Sequence, residues 1–252
     1  MILDWTFYLA AIPAVILLGL SKGGFSGLGM VSLPLMVMVV PPLQGAAIML
    51  PILIVQDAVS IWSFRNSWSA KPLLFFMPGA LIGMGLGALL ASRVSNAMVE
   101  LAVGIIAVIF VLMYWLRSAP ADTPGEQAKW GPGVAWGTVG GFTSFLANAG
   151  GVPFQAFAVP LRMPPMLFAG TASVLYGILN WIKLGFFAAM GQVSSDNMAT
   201  SAVLFPVAIA ATLAGVWLVR RVSPKHFYRI VTTLTFALGV KLIWDGIHEL
   251  VA

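Results

Sequence analysis

The residues best suited to chemistry lie in two glycine-rich interruptions of otherwise apolar sequence. The first is Ser21-Lys22-Gly23-Gly24, followed closely by Ser26; the second is Asn148-Ala149-Gly150-Gly151, followed by Gln155. A lysine at membrane depth is costly and usually tied to function. Glycines beside it leave backbone N–H groups available to an anion at helix starts. The second break offers uncharged donors instead, with Thr143 and Ser144 just upstream. One lysine with several neutral donors holds an oxyanion without stacking positive charge in a low-dielectric site, and weakly enough for release. The predicted substrate-binding set is therefore Ser21, Lys22, Gly23, Gly24, Ser26, Asn148, Gly150, Gly151 and Gln155. The plainer reading is a snorkelling interfacial lysine, a capping asparagine and glycines that permit close packing.

Asp57, Asn180 and Lys183 also fall inside apolar runs and form a candidate coupling set. Asp57 is a candidate proton carrier, or a counter-charge to Arg65 or Lys22. Lys183 either adds positive potential or, as the stronger expectation, snorkels to the nearer interface. Lys241 and Asp245, four residues apart, read as an intrahelical pair outside the site. Gly79, Gly83 and Gly87 give one helix a small-residue face, suited to packing on the other half of the chain or on a second protomer in a homodimer.

The elements that carry these residues must be membrane helices. With 60% hydrophobic and 8% charged residues in 252, the chain lacks the polar surface of a soluble domain. Runs such as Leu73 to Ala91 and Leu101 to Leu116 are apolar on every side, which excludes the alternation of a transmembrane barrel. Asp4 and Trp5 stand where a signal peptide has basic residues, so no removable signal is expected. Absence of cysteine excludes disulfides and thiolate chemistry, and His226 and His248 have no metal-ligand spacing. The net charge of +5 clusters at span ends, which points to orientation in a bilayer and not to nucleic acid. No nucleotide, metallohydrolase or serine-hydrolase motif is present, so neither an enzyme nor a cofactor is expected.

Ten apolar runs are legible, at about 5–20, 24–40, 43–63, 72–92, 97–116, 132–147, 150–161, 165–190, 197–219 and 228–250, of which six are comfortable full spans. The remaining four are the arms of the two breaks. The halves repeat: Pro78 to Met98 aligns without gaps on Pro206 to His226, matching Arg93-Val94-Ser95 with Arg221-Val222-Ser223. With a small shift upstream, Pro41-Pro42 falls on Pro164-Pro165 and Asp57 on Asn180. The expected organisation is one domain over 1–252, with repeats at 1–117 and 132–252 joined by a linker at 118–131.

Basic residues orient the repeats. If each break is a re-entrant hairpin or two complete crossings, Arg65, Lys71, Arg117, Lys129, Arg162, Arg220, Arg221, Lys225 and Arg229 share one face and only Arg93 is opposite. The predicted fold is thus an all-α polytopic membrane protein of two inverted repeats. Each has a broken or re-entrant hairpin followed by three transmembrane helices. That face is cytoplasmic and both termini are periplasmic. Trp62, Trp68, Trp115 and Trp130 flank the cytoplasmic loops, as interfacial residues do.

GGFSGLGMVSLP and GGFTSFLANAGGVP, each opening a half-length repeat, resemble the sulfite exporter (TauE/SafE) family of bacterial membrane proteins, and the likeness covers nearly the whole chain. The first break departs from it with Gly27-Leu28-Gly29 where many members have a denser glycine run. The resemblance implies a secondary transporter in the bacterial inner membrane that exports sulfite or a small organosulfonate such as sulfoacetate. Its partners would be a small sulfur-containing anion, the lipid bilayer and a coupling proton. The alternatives are an anion channel, an uptake carrier for another anion such as thiosulfate, and a membrane assembly factor without substrate.

Overall fold

In the computed structural model, residues 2, 4–25, 28–40, 42–90, 93, 95–116, 125–189 and 194–251 are described, and these form helices joined by short turns. In chain order the helices are α1 (Trp5–Lys22), α2 (Ser32–Val37), α3 (Pro42–Ser63), α4 (Ala70–Leu90), α5 (Asn96–Leu116), α6 (Trp130–Ala147), α7 (Gly151–Ala158), α8 (Pro165–Ala189), α9 (Ser195–Arg221) and α10 (Pro224–Val251). Among the described residues, α1, α3, α4, α5, α8, α9 and α10 are long and apolar enough to cross a membrane. The expectation of six full spans is exceeded by α1. Its 18 residues reach about 27 Å at 1.5 Å each, so the first arm is a nearly full-length helix and not a short one.

Local chemistry sets the helix ends. Asp4 caps α1 by accepting from the Thr6 backbone N–H and hydroxyl, and these bonds hold its carboxyl below the usual range. Pro165 and Pro224 open α8 and α10, where a missing N–H costs nothing. Each break is a reversal. After α1 the chain turns through Gly23 and Gly24, and a short 3-10 turn at Leu28–Val31 and α2 pack back against α1. After α6, Asn148 takes a left-handed conformation, φ 52°, and α7 folds back on α6.

Polarity is inside out relative to a soluble protein. Leu74, Ile82 and Leu89 on α4 and Ile105, Ile109 and Leu116 on α5 are exposed, as lipid-facing residues are. Gln56, Asp57, Ser144, Gln155, Asn180 and Lys183 are buried. Small residues let the broken helices approach the opposite half. Gly19 of α1 and Gly23 just after it lie against Ala211 and Gly215 of α9, and Gly79 and Gly83 of α4 against Val134 and Thr138 of α6, both pairs parallel. The face of Gly79, Gly83 and Gly87 is thus filled within the chain by α6. By contrast α3 and α8 run antiparallel, with Asp57 level with Asn180 and Ile61 level with Gly177. So do α5 and α10, with Ala97 near Gly246 and Trp115 near Thr232.

Contacts at the ends sort the charges. At one end Arg220 donates to the Ser63 carbonyl, the Ser69 N–H donates to Thr171, and Tyr228 donates to the Met163 carbonyl. At the other, the Ile2 N–H donates to Thr200 and Ser201 to the Ile48 carbonyl. Arg65, Lys71, Lys129, Arg162, Arg220, Arg221, Lys225 and Arg229 consequently gather at the first end, with Arg93 at the second. Arg117 lies outside the described residues.

Candidate functional site

The first break brings Lys22 inward at the C-terminus of α1. Gly23 sits level with Gly215, six residues before the end of α9, so Lys22 lies about 9 Å along the helix axis from the basic end. Two glycines make this turn for different reasons. Gly23 has no room for a side chain, since a methyl there would come within 2.5 Å of the Gly215 Cα. Gly24 has φ +130°, which other residues rarely adopt. Ser60 of α3 donates to the Lys22 carbonyl at 2.9 Å, satisfying an acceptor that the end of α1 leaves open.

The Lys22 ammonium is paired. Its Nζ lies 2.6 Å from Asp57 Oδ1, with side-chain exposures of 9% and 2%, and 4.9 Å from the centre of the Tyr176 ring. The second Asp57 oxygen accepts from Asn180 Nδ2 at 2.6 Å. Asp57 is therefore the counter-charge of Lys22, not of Arg65, and the carboxylate links α1, α3 and α8.

Lys183 does not snorkel. It is 3% exposed and donates to the Ser144 carbonyl and to Asn148 Oδ1, each at 2.6 Å. Ser144 lies in the last turn of α6, whose carbonyls have no partner within the helix, so Lys183 caps the broken helix from α8. Tyr176, on the same face of α8, spans both breaks: its ring lies against Lys22 and its hydroxyl donates to the Gly150 carbonyl at 3.1 Å.

Between the breaks is a cavity of about 60 Å³. Ser21, Lys22 and Gly24 line it from the first break, Ser144, Asn148 and Gly151 from the second, and Ser173, Tyr176 and Asn180 from α8. The structure thus brings five residues of the predicted binding set to one cavity. Gly23 is used in the α1–α9 contact, and Gly150 accepts from Tyr176. Gln155 is fully buried and accepts from Thr235 on α10; it is not among the lining residues. Ser26 lies outside the described residues. Lys241 and Asp245 form their expected pair within α10.

Tyr176 and Ser173 were missed as site residues. Their signal was present: Ser173, Tyr176, Asn180 and Lys183 recur every three or four positions along an otherwise apolar helix, which places them on one face.

Apolar helices surrounding a buried, polar, charge-bearing cavity between two helix reversals define a polytopic membrane protein of transporter type. The family model described as Sulfite exporter TauE/SafE matches residues 11–242, and the chain belongs to that family of sulfite exporter-type membrane transporters. No curated protein and no solved structure matches it.

Proposed function

We propose that this protein is a secondary transporter that exports sulfite, or a related small sulfur-containing anion such as sulfoacetate, across the bacterial inner membrane. The observation that carries this reading is the charge balance around the cavity: Lys22 and Lys183 against Asp57 leave one formal positive charge. Unbalanced buried charge is expensive, and a small anion between the breaks offsets it. Ser21, Asn148 and Gly151 supply polar groups around it, and α7 starts at the cavity with the positive end of its dipole. Asp57 is the proposed carrier of a coupling proton, because neutralising it would release Lys22 to the anion.

The proposed organisation is one domain of two inverted repeats, 1–117 and 132–252, joined by 118–131. Reciprocal packing supports it: α1 lies along α9 as α6 lies along α4, while α3 with α8 and α5 with α10 are antiparallel. The positive-inside rule assigns the basic end to the cytoplasm and both termini to the periplasm. Each broken helix packs on the opposite half, so rocking of the halves would open the cavity to one side at a time.

Counterflow in proteoliposomes tests the proposal. Unlabelled sulfite trapped inside should accelerate entry of labelled sulfite. Large uncoupled anion currents without such acceleration would establish a channel instead. A panel with sulfate, thiosulfate, sulfoacetate and taurine, with and without a proton gradient, identifies substrate and coupling.

A further inference from the structure

We infer that Lys183, and not Lys22, is the cation that first anchors the anion, with the Lys22–Asp57 pair acting as the coupling element beside it; this rests on the cavity being the transported anion's site. The two lysines are differently balanced. Lys22 has a carboxylate oxygen at 2.6 Å. Lys183 is equally close to two acceptors, but both are neutral, and among the described residues it has no carboxylate within ion-pair distance. The formal charge left over around the cavity therefore belongs to Lys183.

Geometry makes that charge available. Both acceptors, Ser144 and Asn148, line the cavity and Lys183 itself does not, so the ammonium stands behind its wall at the second break and an anion reaches it by displacing Asn148 Oδ1. An ammonium has three N–H donors and two are occupied, which leaves one for an oxyanion. Capping alone does not account for a lysine here. A neutral donor would satisfy the Ser144 carbonyl without the desolvation cost of a 3% exposed charge. An anion at Lys22, by comparison, meets an ammonium whose charge Asp57 already balances, and Asp57 itself is held by Asn180. Binding at Lys183 with Asp57 charged, followed by engagement of Lys22 once Asp57 is neutralised, gives the two lysines successive roles.

The test is sulfite binding to detergent-purified full-length protein, with thermal unfolding as the folding control. Lys183→Gln should weaken sulfite roughly 10- to 100-fold, the worth of a charge-assisted hydrogen bond. Asn148→Asp should weaken it comparably while leaving the melting temperature unchanged or higher. It places a carboxylate on Lys183 in an existing contact, and aspartate tolerates the left-handed backbone at this position. Asn148 itself lines the cavity, so this loss counts for Lys183 only together with that of Lys183→Gln. If Lys183→Gln fails to fold, Lys183→His decides: sulfite binding should fall with rising pH more steeply than in wild type, and a wild-type profile overturns the assignment. Lys22→Gln/Asp57→Asn, which removes the pair together, should weaken sulfite by a smaller factor than Lys183→Gln, because Lys183 remains. The assignment is overturned if Asn148→Asp binds normally, or if the double variant loses more sulfite affinity than Lys183→Gln. Wild-type protein that binds no sulfur oxyanion overturns the transport reading itself.

Discussion

Lys22 Nζ stands 2.6 Å from Asp57 Oδ1, and the other oxygen of that carboxylate accepts from Asn180 at 2.6 Å, so one acidic side chain ties the first helix break to both α3 and α8. The two members of the pair come from different helices and are both buried, which makes each the other's compensation. Removing either one exposes the cost of the one that remains.

Lys22→Ala should therefore destabilise the protein by about 3 kcal/mol or more, because it leaves a buried carboxylate uncompensated. It should also weaken anion binding, since that carboxylate now opposes the anion. Lys22→Ala/Asp57→Asn should recover most of both losses. Thermal unfolding and sulfite binding on the same preparations check this. A double variant no better than the single would show that the pair is not the relevant interaction.

Asp57→Asn should abolish accumulation of sulfite against a gradient while leaving exchange at equal concentrations largely intact, as expected when coupling is lost and binding survives. Its transport should also no longer respond to an imposed proton gradient. Parallel loss of both activities with the amount of folded protein would make the role of Asp57 structural.

Because the chain has no cysteine, single cysteines at Ser67, Thr123 and Ser223 can be labelled directly. All three should react from the cytoplasmic side, with a cysteine at Ala252 reacting from the periplasm. Labelling of Ser67 and Ser223 from opposite faces would contradict the contact that brings Arg220 to Ser63.

The α4–α6 seam should be intolerant of bulk. A Cβ on Gly83 would lie 2.0 Å from the Thr138 carbonyl oxygen, and on Gly79 the same distance from that of Val134, whereas at Gly85 nothing lies within 4 Å. Gly83→Leu should cost at least about 2 kcal/mol through forced separation of the helices. Gly85→Leu, on the same helix, should be nearly neutral. Detergent melting curves of the two variants give the comparison, and equal melting temperatures would remove the seam.

Sequence alone determined the membrane class, the helices and the places where they break. Length and hydropathy decide whether a segment can cross a bilayer, and Gly23-Gly24 and Asn148 to Gly151 interrupt those segments with residues that relax the backbone. Asp57 and Asn180 fall at matching positions when the two halves of the sequence are aligned, but their contact comes from the structure. Only the tertiary structure decided which polar residues meet: that Asp57 takes Lys22 and not Arg65, that Lys183 turns inward to Ser144 and Asn148, that Gln155 goes to Thr235, and that Gly79 and Gly83 face α6. The reason is physical. In a soluble helix the apolar stripe reveals the buried face, but here lipid-facing and core-facing positions are both apolar, so periodicity does not report helix rotation. That rotation is set by the close approach of small residues on neighbouring helices and by the need of each intramembrane polar group for a partner, and both depend on segments far apart in the chain.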